Sequence, residues 1–160
     1  MEKILKRVYA SRKISASLMI VSHLCVLVSV AVYAILVASS FVDSVRIGIS
    51  MIALGGAPFV IVTLARRWIN APRPYELYDF YEKRPKDKIG QSFPSRHTFS
   101  AFTVAAFSYV LSPWLAVALG VLGVALAVSR VLLGMHFIRD VVAGALIGII
   151  SGIIGLIILL

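Results

Sequence analysis

Three side chains carry most of the chemical potential of this chain: His97, His136 and Asp140. From Pro94 to Leu160 there are 67 residues and only six ionisable side chains: Arg96, His97, Arg130, His136, Arg139 and Asp140. His136 and Asp140 are four residues apart, so on a helix they share a face. A carboxylate in that position accepts a hydrogen bond from one imidazole nitrogen. It fixes the tautomer and leaves the other lone pair free as a nucleophile. Asp140 is the only acid after Asp87, so His97 has no carboxylate partner nearby in sequence. The two histidines are therefore chemically different. His136 is suited to nucleophilic attack, and His97 to protonating a leaving group.

The neighbours indicate what would be attacked. Arg66, Arg73 and Arg130 flank the same region. Arginine forks suit tetrahedral anions, and several together suit a phosphoryl group whose oxygens carry charge in the transition state. Ser95 can add a hydroxyl donor. A helix beginning beside it offers unpaired N–H groups and a dipole that favours an anion. The set reads as phosphoryl transfer through a phosphohistidine. Two alternatives compete. Snorkelling arginines can simply anchor headgroups, but that leaves two histidines and an aspartate unexplained. Two histidines and an aspartate can ligate zinc, but the arginines would repel a dication and no second carboxylate offsets them.

The elements that must position these residues follow from composition. The chain has 160 residues, of which 60% are hydrophobic and 14% charged, with a mean hydropathy of +0.96. An ordinary soluble domain is about 45–50% apolar and about 25% charged. The expected fold is all-α: one integral membrane helical bundle over residues 1–160, with the site at one membrane face. Spans are expected over about 14–42, 45–65, 95–111, 114–133 and 136–160, with a polar loop at 66–93 carrying Pro72, Pro74 and Pro85. The 95–111 stretch is short for a span, so its N-terminal end is expected to be recessed. Pro58 is expected to kink the second helix, Ser112-Pro113 to make a turn and Gly134 to end the fourth helix. The apolar run at 14–42 is too long for a cleavable signal and reads as a retained span. The single cysteine, Cys25, excludes an intramolecular disulfide and reads as a packed small residue. The net charge of +9 points to anionic headgroups or phosphates before nucleic acid.

Three motifs resemble those of the type 2 phosphatidic acid phosphatase superfamily, which also includes vanadium haloperoxidases and bacterial acid phosphatases. They are Arg66 with Arg73-Pro74, then Pro94-Ser95-Arg96-His97, then Ser129-Arg130 with His136 and Asp140. All three spacings agree, over residues 66–140. Two positions depart from the family pattern: Arg66 stands where lysine is usual, and Arg96 where glycine is usual. Five expected spans contrast with the six common in membrane members. The resemblance implies that His136 attacks phosphorus, Asp140 orients it and His97 protonates the leaving oxygen. Arg66, Arg73, Ser95, Arg96 and Arg130 would hold the phosphoryl oxygens. No metal or other cofactor is implied.

The expected activity is that of a lipid phosphatase or diphosphatase, on a polyprenyl phosphate or diphosphate, phosphatidic acid or phosphatidylglycerol phosphate. A lipid phosphotransferase and a non-catalytic subunit binding anionic lipid are the competing readings. The expected location is the plasma (inner) membrane of a prokaryote. With five spans, fifteen Lys and Arg fall on the side of the site and only Arg46 on the other. Setting aside Arg66, Arg73, Arg96 and Arg130 leaves eleven against one. The positive-inside rule then puts the site at the cytoplasmic face, whereas the resemblance pulls toward the outer face. His23 reads as an interhelical hydrogen-bonding residue. Tyr75, Tyr78, Phe80 and Tyr81, beside Glu76, Asp79 and Glu82, read as an interfacial belt before a substrate mouth. Lys83, Arg84, Lys86 and Lys88 read as lipid-headgroup contacts. Gly144, Gly148, Gly152 and Gly155 predict close helix packing.

Overall fold

The computed structural model describes residues 2–78 and 89–159, without the side chains of residues 2–4 and 9. The expected roles of Asp79, Phe80, Tyr81, Glu82, Lys83, Arg84, Lys86 and Lys88 lie outside the described residues. The described elements are helices: α1 (Glu2–Ala10), α2 (Arg12–Asp43), α3 (Val45–Ile69), α4 (Pro74–Leu77), α5 (Arg96–Phe107), α6 (Pro113–Leu132) and α7 (Ile138–Leu159). A single 3₁₀ turn, Ser108–Val110, extends α5.

Serines punctuate the chain. Ser11 ends α1 and caps α2 by accepting from the Ile14 N–H. Ser44 closes α2 and caps α3 through the Arg46 N–H. Ser112 precedes Pro113, which opens α6 at a position where its missing N–H costs nothing. Helix α3 runs through Pro58 without interruption. Gly134 ends α6 at φ 66°, a conformation that few side chains tolerate.

Four helical stretches are long and apolar enough to cross a membrane: Arg12–Asp43, Val45–Leu77, Pro113–Leu132 and Ile138–Leu159. The expected third span does not join them. Its α-helix has 12 residues, which at about 1.5 Å per residue falls well short of a hydrocarbon layer about 30 Å thick. Instead α5 begins inside the bundle. The Ser95 N–H donates to the Asp140 carbonyl at 2.8 Å, so the start of α5 lies beside the first turn of α7. Seven of the twelve α5 residues are buried, from Thr98 through Phe107, so α5 forms the packed centre rather than a lipid-facing wall.

The glycines of α7 set how closely α5 sits. A Cβ at Gly144 would lie 2.4 Å from the Ser95 carbonyl oxygen, and one at Gly148 would lie 2.4 Å from that of Phe99. Further along, Gly152 and Gly155 receive the Ala106 methyl and the Phe107 ring in the same way. The helices therefore meet backbone to backbone at one end and backbone to side chain at the other, as the small-residue spacing predicts. Gly148→Ala should lower thermal stability by about 1–3 kcal/mol, because the added methyl meets a main-chain oxygen that cannot turn aside. Gly120→Ala, on the open side of α6, meets nothing within 4 Å and should cause no loss. Unfolding midpoints of the two variants in detergent check this, and equal midpoints would contradict the packing argument.

Two further sequence expectations change. His23 is exposed, and its Nδ1 bonds the Met19 carbonyl of its own helix at 2.7 Å, not a neighbouring helix. Tyr75 is buried against Leu5 of α1 rather than placed in an outer belt. Cys25 packs with Ala101 and Leu126, as expected.

Candidate active site

Residues 89–95 enter the bundle without forming a helix. Such backbone is tolerated at depth only if protein satisfies its polar groups. Arg66 does much of this work. Its guanidinium donates to the Pro94 carbonyl at 2.5 Å and to the Gln91 carbonyl. The Arg73 Nε donates to the Gly90 carbonyl at 2.9 Å. Glu76 Oε1 accepts from the N–H groups of Gly90 at 2.8 Å and of Arg73 at 3.0 Å. The Ser92 N–H reaches the Ala71 carbonyl at 2.9 Å. Arginine at 66 thus has a physical rationale: one planar fork spans two carbonyls, which an ammonium cannot do in the same way.

This loop delivers Ser92 to the pair on α7. Ser92 Oγ donates to Asp140 Oδ2 at 2.5 Å and lies 3.4 Å from His136 Nδ1. Asp140 Oδ2 also accepts from the Phe137 N–H at 3.0 Å, so the carboxylate caps its own helix. His136 Nδ1 is 3.7 Å from Oδ2, an ion-pair distance rather than a hydrogen bond. The direct bond expected from the four-residue spacing is therefore replaced by a hydroxyl between the two groups. His136 is 2% exposed and Asp140 0%. With Nδ1 turned to this cluster, Nε2 is the nitrogen left for an incoming electrophile.

A cleft of about 270 Å³ opens beside them. His97 and His136 both line it, together with Arg66, Arg73, Arg96 and Arg130. The structure thus brings six of the expected site residues to one cavity, with Asp140 directly behind His136. Arg67 adds a fifth arginine, and among the described residues no carboxylate lines the cleft. Arg130 Nε is buried with no partner among the described residues, and its other edge meets only the Met135 sulfur at 3.1 Å, a weak acceptor. Such a guanidinium is poised for an anion. Burial pulls the His136 pKa below its ordinary 6.5. The neighbouring Asp140 carboxylate opposes that shift, and the charges of Arg73 and Arg66 reinforce it. The net shift favours the neutral imidazole.

Ser95 does not reach the cleft wall. It is fully buried, and its hydroxyl pairs with Thr98 Oγ1 at 3.0 Å. The recess of α5 turns it into a packing and backbone-anchoring residue. Arg139 points outward, 68% exposed, with its Nε 3.6 Å from Asp140 Oδ1. Tyr75 forms part of the cleft wall beneath the Arg73 guanidinium, 5.8 Å from the ring centroid. Sequence reasoning missed Ser92 and Arg67, and ranked Tyr75 as a belt residue ahead of a mouth residue. Ser92 carried one usable signal, a hydroxyl three residues before Ser95 in the same non-helical stretch. Among the described residues, no three His, Cys, Asp or Glu side chains gather as a metal-binding group.

Comparison with known proteins bears on the family. The chain is 34% identical over 82 residues to the lipid A 1-phosphatase of Porphyromonas gingivalis, covering 49% of this chain and 18% of that protein. It is 32% identical over 84 residues to the bacitracin transport permease protein BcrC of Bacillus licheniformis, covering 51% of this chain and 40% of that protein. Both matches therefore take in less than half of the relative's length. The fold resembles a transmembrane PAP2 type phosphatidylglycerolphosphate phosphatase from Bacillus subtilis. Its TM-score is 0.75 at 24% identity, over 98% of this chain and 83% of that one. It also resembles LpxE of Aquifex aeolicus, with a TM-score of 0.69 at 27% identity, over 96% of this chain and 93% of that one. The family model of the PAP2 superfamily matches residues 44–159, which carry all three motifs and the whole cleft. The chain is a member of the PAP2 superfamily.

Proposed function

We propose that this protein is a membrane lipid phosphatase that works through a phosphohistidine and needs no metal. The observation that carries the reading is the placement of His136. Its Nδ1 faces Ser92 and Asp140, and its ring lines a cleft walled by arginines and shared with His97. His136 Nε2 attacks phosphorus as the bond to the leaving oxygen breaks, and His97 gives that oxygen its proton. Water then attacks the phosphohistidine and His97 accepts its proton, which releases inorganic phosphate and restores both histidines. Arg73, Arg96 and Arg130 hold the phosphoryl oxygens, and Arg66 adds charge while its fork keeps the loop in place. The substrate is a lipid phosphate monoester or diphosphate, which matches a polar cleft at the end of an apolar bundle.

The test is phosphate release by purified protein in detergent. The panel is phosphatidic acid, phosphatidylglycerol phosphate, a polyprenyl phosphate and a polyprenyl diphosphate. Orthovanadate should inhibit, because it adopts the five-coordinate geometry of phosphoryl transfer on a histidine nitrogen, and EDTA should not. Activity lost in EDTA and restored by zinc or magnesium would overturn the metal-free mechanism.

We further propose that the cleft opens to the cytoplasmic face, on the charge bias of eleven to one. Ile89 is 76% exposed beside the loop that enters the bundle. In a Cys25→Ser background, Ile89→Cys should resist a membrane-impermeant maleimide in intact cells and react after lysis. Labelling before lysis would place the cleft outside.

A further inference from the structure

The arginines that line the cleft are unequally committed to the protein around them. The Arg66 fork is taken by the Pro94 and Gln91 carbonyls. The Arg73 Nε is taken by the Gly90 carbonyl. Arg67 is exposed. Arg130 keeps a buried Nε with no partner among the described residues. Arg96 makes no hydrogen bond to the described residues, and its guanidinium rests 5.2 Å from the Phe59 ring centroid. Two guanidiniums, of Arg96 and Arg130, therefore line the cleft with donors uncommitted.

They stand at different places. Arg130 belongs to the last turn of α6 and touches Met135, the residue before His136. Arg96 opens α5 and leans on Phe59 of α3. Helices α3 and α6 are not packing neighbours. The charged neighbour of Arg130 is Arg73, and that of Arg96 is Arg66. His97 feels both Arg130 and Arg96, the former more strongly. Arg130 is thus the nucleophile's neighbour, and Arg96 the outer arginine, next to the proton donor along the chain.

A phosphoryl group on His136 has no use for a cation on the leaving side unless the leaving group is itself an anion. In-line displacement puts the leaving oxygen opposite the attacking nitrogen. In a monoester, carbon lies beyond that oxygen and offers a guanidinium nothing. In a diphosphate, a second phosphate lies there. As the bridging bond breaks, its electron pair stays on the departing phosphate, whose oxygens gain negative charge. A planar guanidinium fork can meet two of those oxygens at once. Glycine, the residue usual at this position of the motif, has no side chain to do so.

We propose that Arg96 creates a second anion position in the cleft and makes the protein selective for lipid diphosphates, with their phosphates directly bonded, over lipid monophosphates. The inference rests on the phosphatase reading above. The terminal phosphate lies at His136 with its oxygens on Arg73 and Arg130, and the phosphate that carries the tail lies on Arg96. His136 Nε2 bonds to the terminal phosphorus, the bridging P–O bond breaks, and the bridging oxygen leaves on the lipid monophosphate with the proton of His97. Water then hydrolyses the phosphohistidine. One lipid diphosphate and one water give one lipid monophosphate and one inorganic phosphate.

The experiment compares farnesyl diphosphate with farnesyl monophosphate, which share a tail and differ only in the second phosphate. Wild type should favour the diphosphate. Arg96→Gln should lower the diphosphate to monophosphate ratio of kcat/KM by about a hundredfold, mainly through kcat, because the charge it meets develops in the transition state. Arg96→Lys, which keeps charge but not the fork, should recover part of the ratio. Arg130→Gln should slow both substrates and leave the ratio near that of the wild type. Thermal unfolding of Arg96→Gln at the wild-type temperature excludes a folding defect. If it unfolds early, inhibition of the wild type decides: methylenediphosphonate should compete at least about tenfold more tightly than orthophosphate, and equal inhibition overturns the proposal. Equal kcat/KM for the two substrates in the wild type, or an unchanged ratio in folded Arg96→Gln, overturns the second position and leaves the phosphatase reading intact. Preference for phosphatidylglycerol phosphate, whose phosphates are separated by glycerol, does the same. Failure of the wild type to release phosphate from any lipid overturns both.

Discussion

His136→Ala should abolish phosphate release and phosphoenzyme formation together, with a loss on the order of 10⁴-fold or more, the scale seen when a covalent nucleophile is removed. The imidazole is buried in the turn between α6 and α7, and no other side chain takes its place between Ser92, Asp140 and the cleft. Phosphorus in a bound ester would face arginines but no nucleophile. His97→Ala should behave differently. It removes the proton donor, so phosphate monoesters should suffer more than diphosphates, whose leaving phosphate needs less protonation. Rapid-quench trapping of labelled phosphoenzyme separates the two variants. Full activity in purified, folded His136→Ala would end the assignment of roles.

Asp140→Asn should lower kcat/KM by about 10³–10⁴-fold while leaving the fold largely in place, as expected when the carboxylate behind a catalytic imidazole is neutralised. The amide oxygen can still accept from Ser92 Oγ and the Phe137 N–H, the two donors that hold Oδ2. What disappears is negative charge near His136 Nδ1. The pH profile carries a signature that a structural defect would not produce. His136 must be neutral to attack, so activity falls as pH drops through its pKa. Burial already holds that pKa below 6.5, and Asp140 opposes the shift. With the carboxylate gone, the acid limb of kcat/KM should move to still lower pH as the plateau drops. A limb displaced toward higher pH would show that Asp140 acts on His136 in some other way.

The parts of the site read from the sequence are those written in local spacing. His136 and Asp140 share a helix end, and a run of arginines beside apolar spans is hard to explain by lipid anchoring alone. The parts that escaped notice depend on contacts between distant residues. Ser92 meets Asp140 across 48 positions and Arg66 meets Pro94 across 28, so neither pairing has a local pattern. Arg66 and Ser95 illustrate the cost. Type and motif point to both as phosphate donors; Arg66 does line the cleft, but its fork also engages the recessed loop, and burial turns the Ser95 hydroxyl to Thr98. The sequence of α5 reads as a short span because apolarity reports burial without saying whether protein or lipid provides it. Tyr75 was read as a surface aromatic because its packing partner, Leu5, lies about seventy positions earlier in the chain.

The meeting of α5 and α7 through main-chain atoms has a consequence for how such a protein can diversify. With Gly144 and Gly148 pressed on carbonyl oxygens, the seam has few intermediate settings. A shift to the next equivalent register is one turn, about 5.4 Å, far enough to part the two histidines. The chemical wall of the cavity is therefore all-or-none, and selection can only keep it.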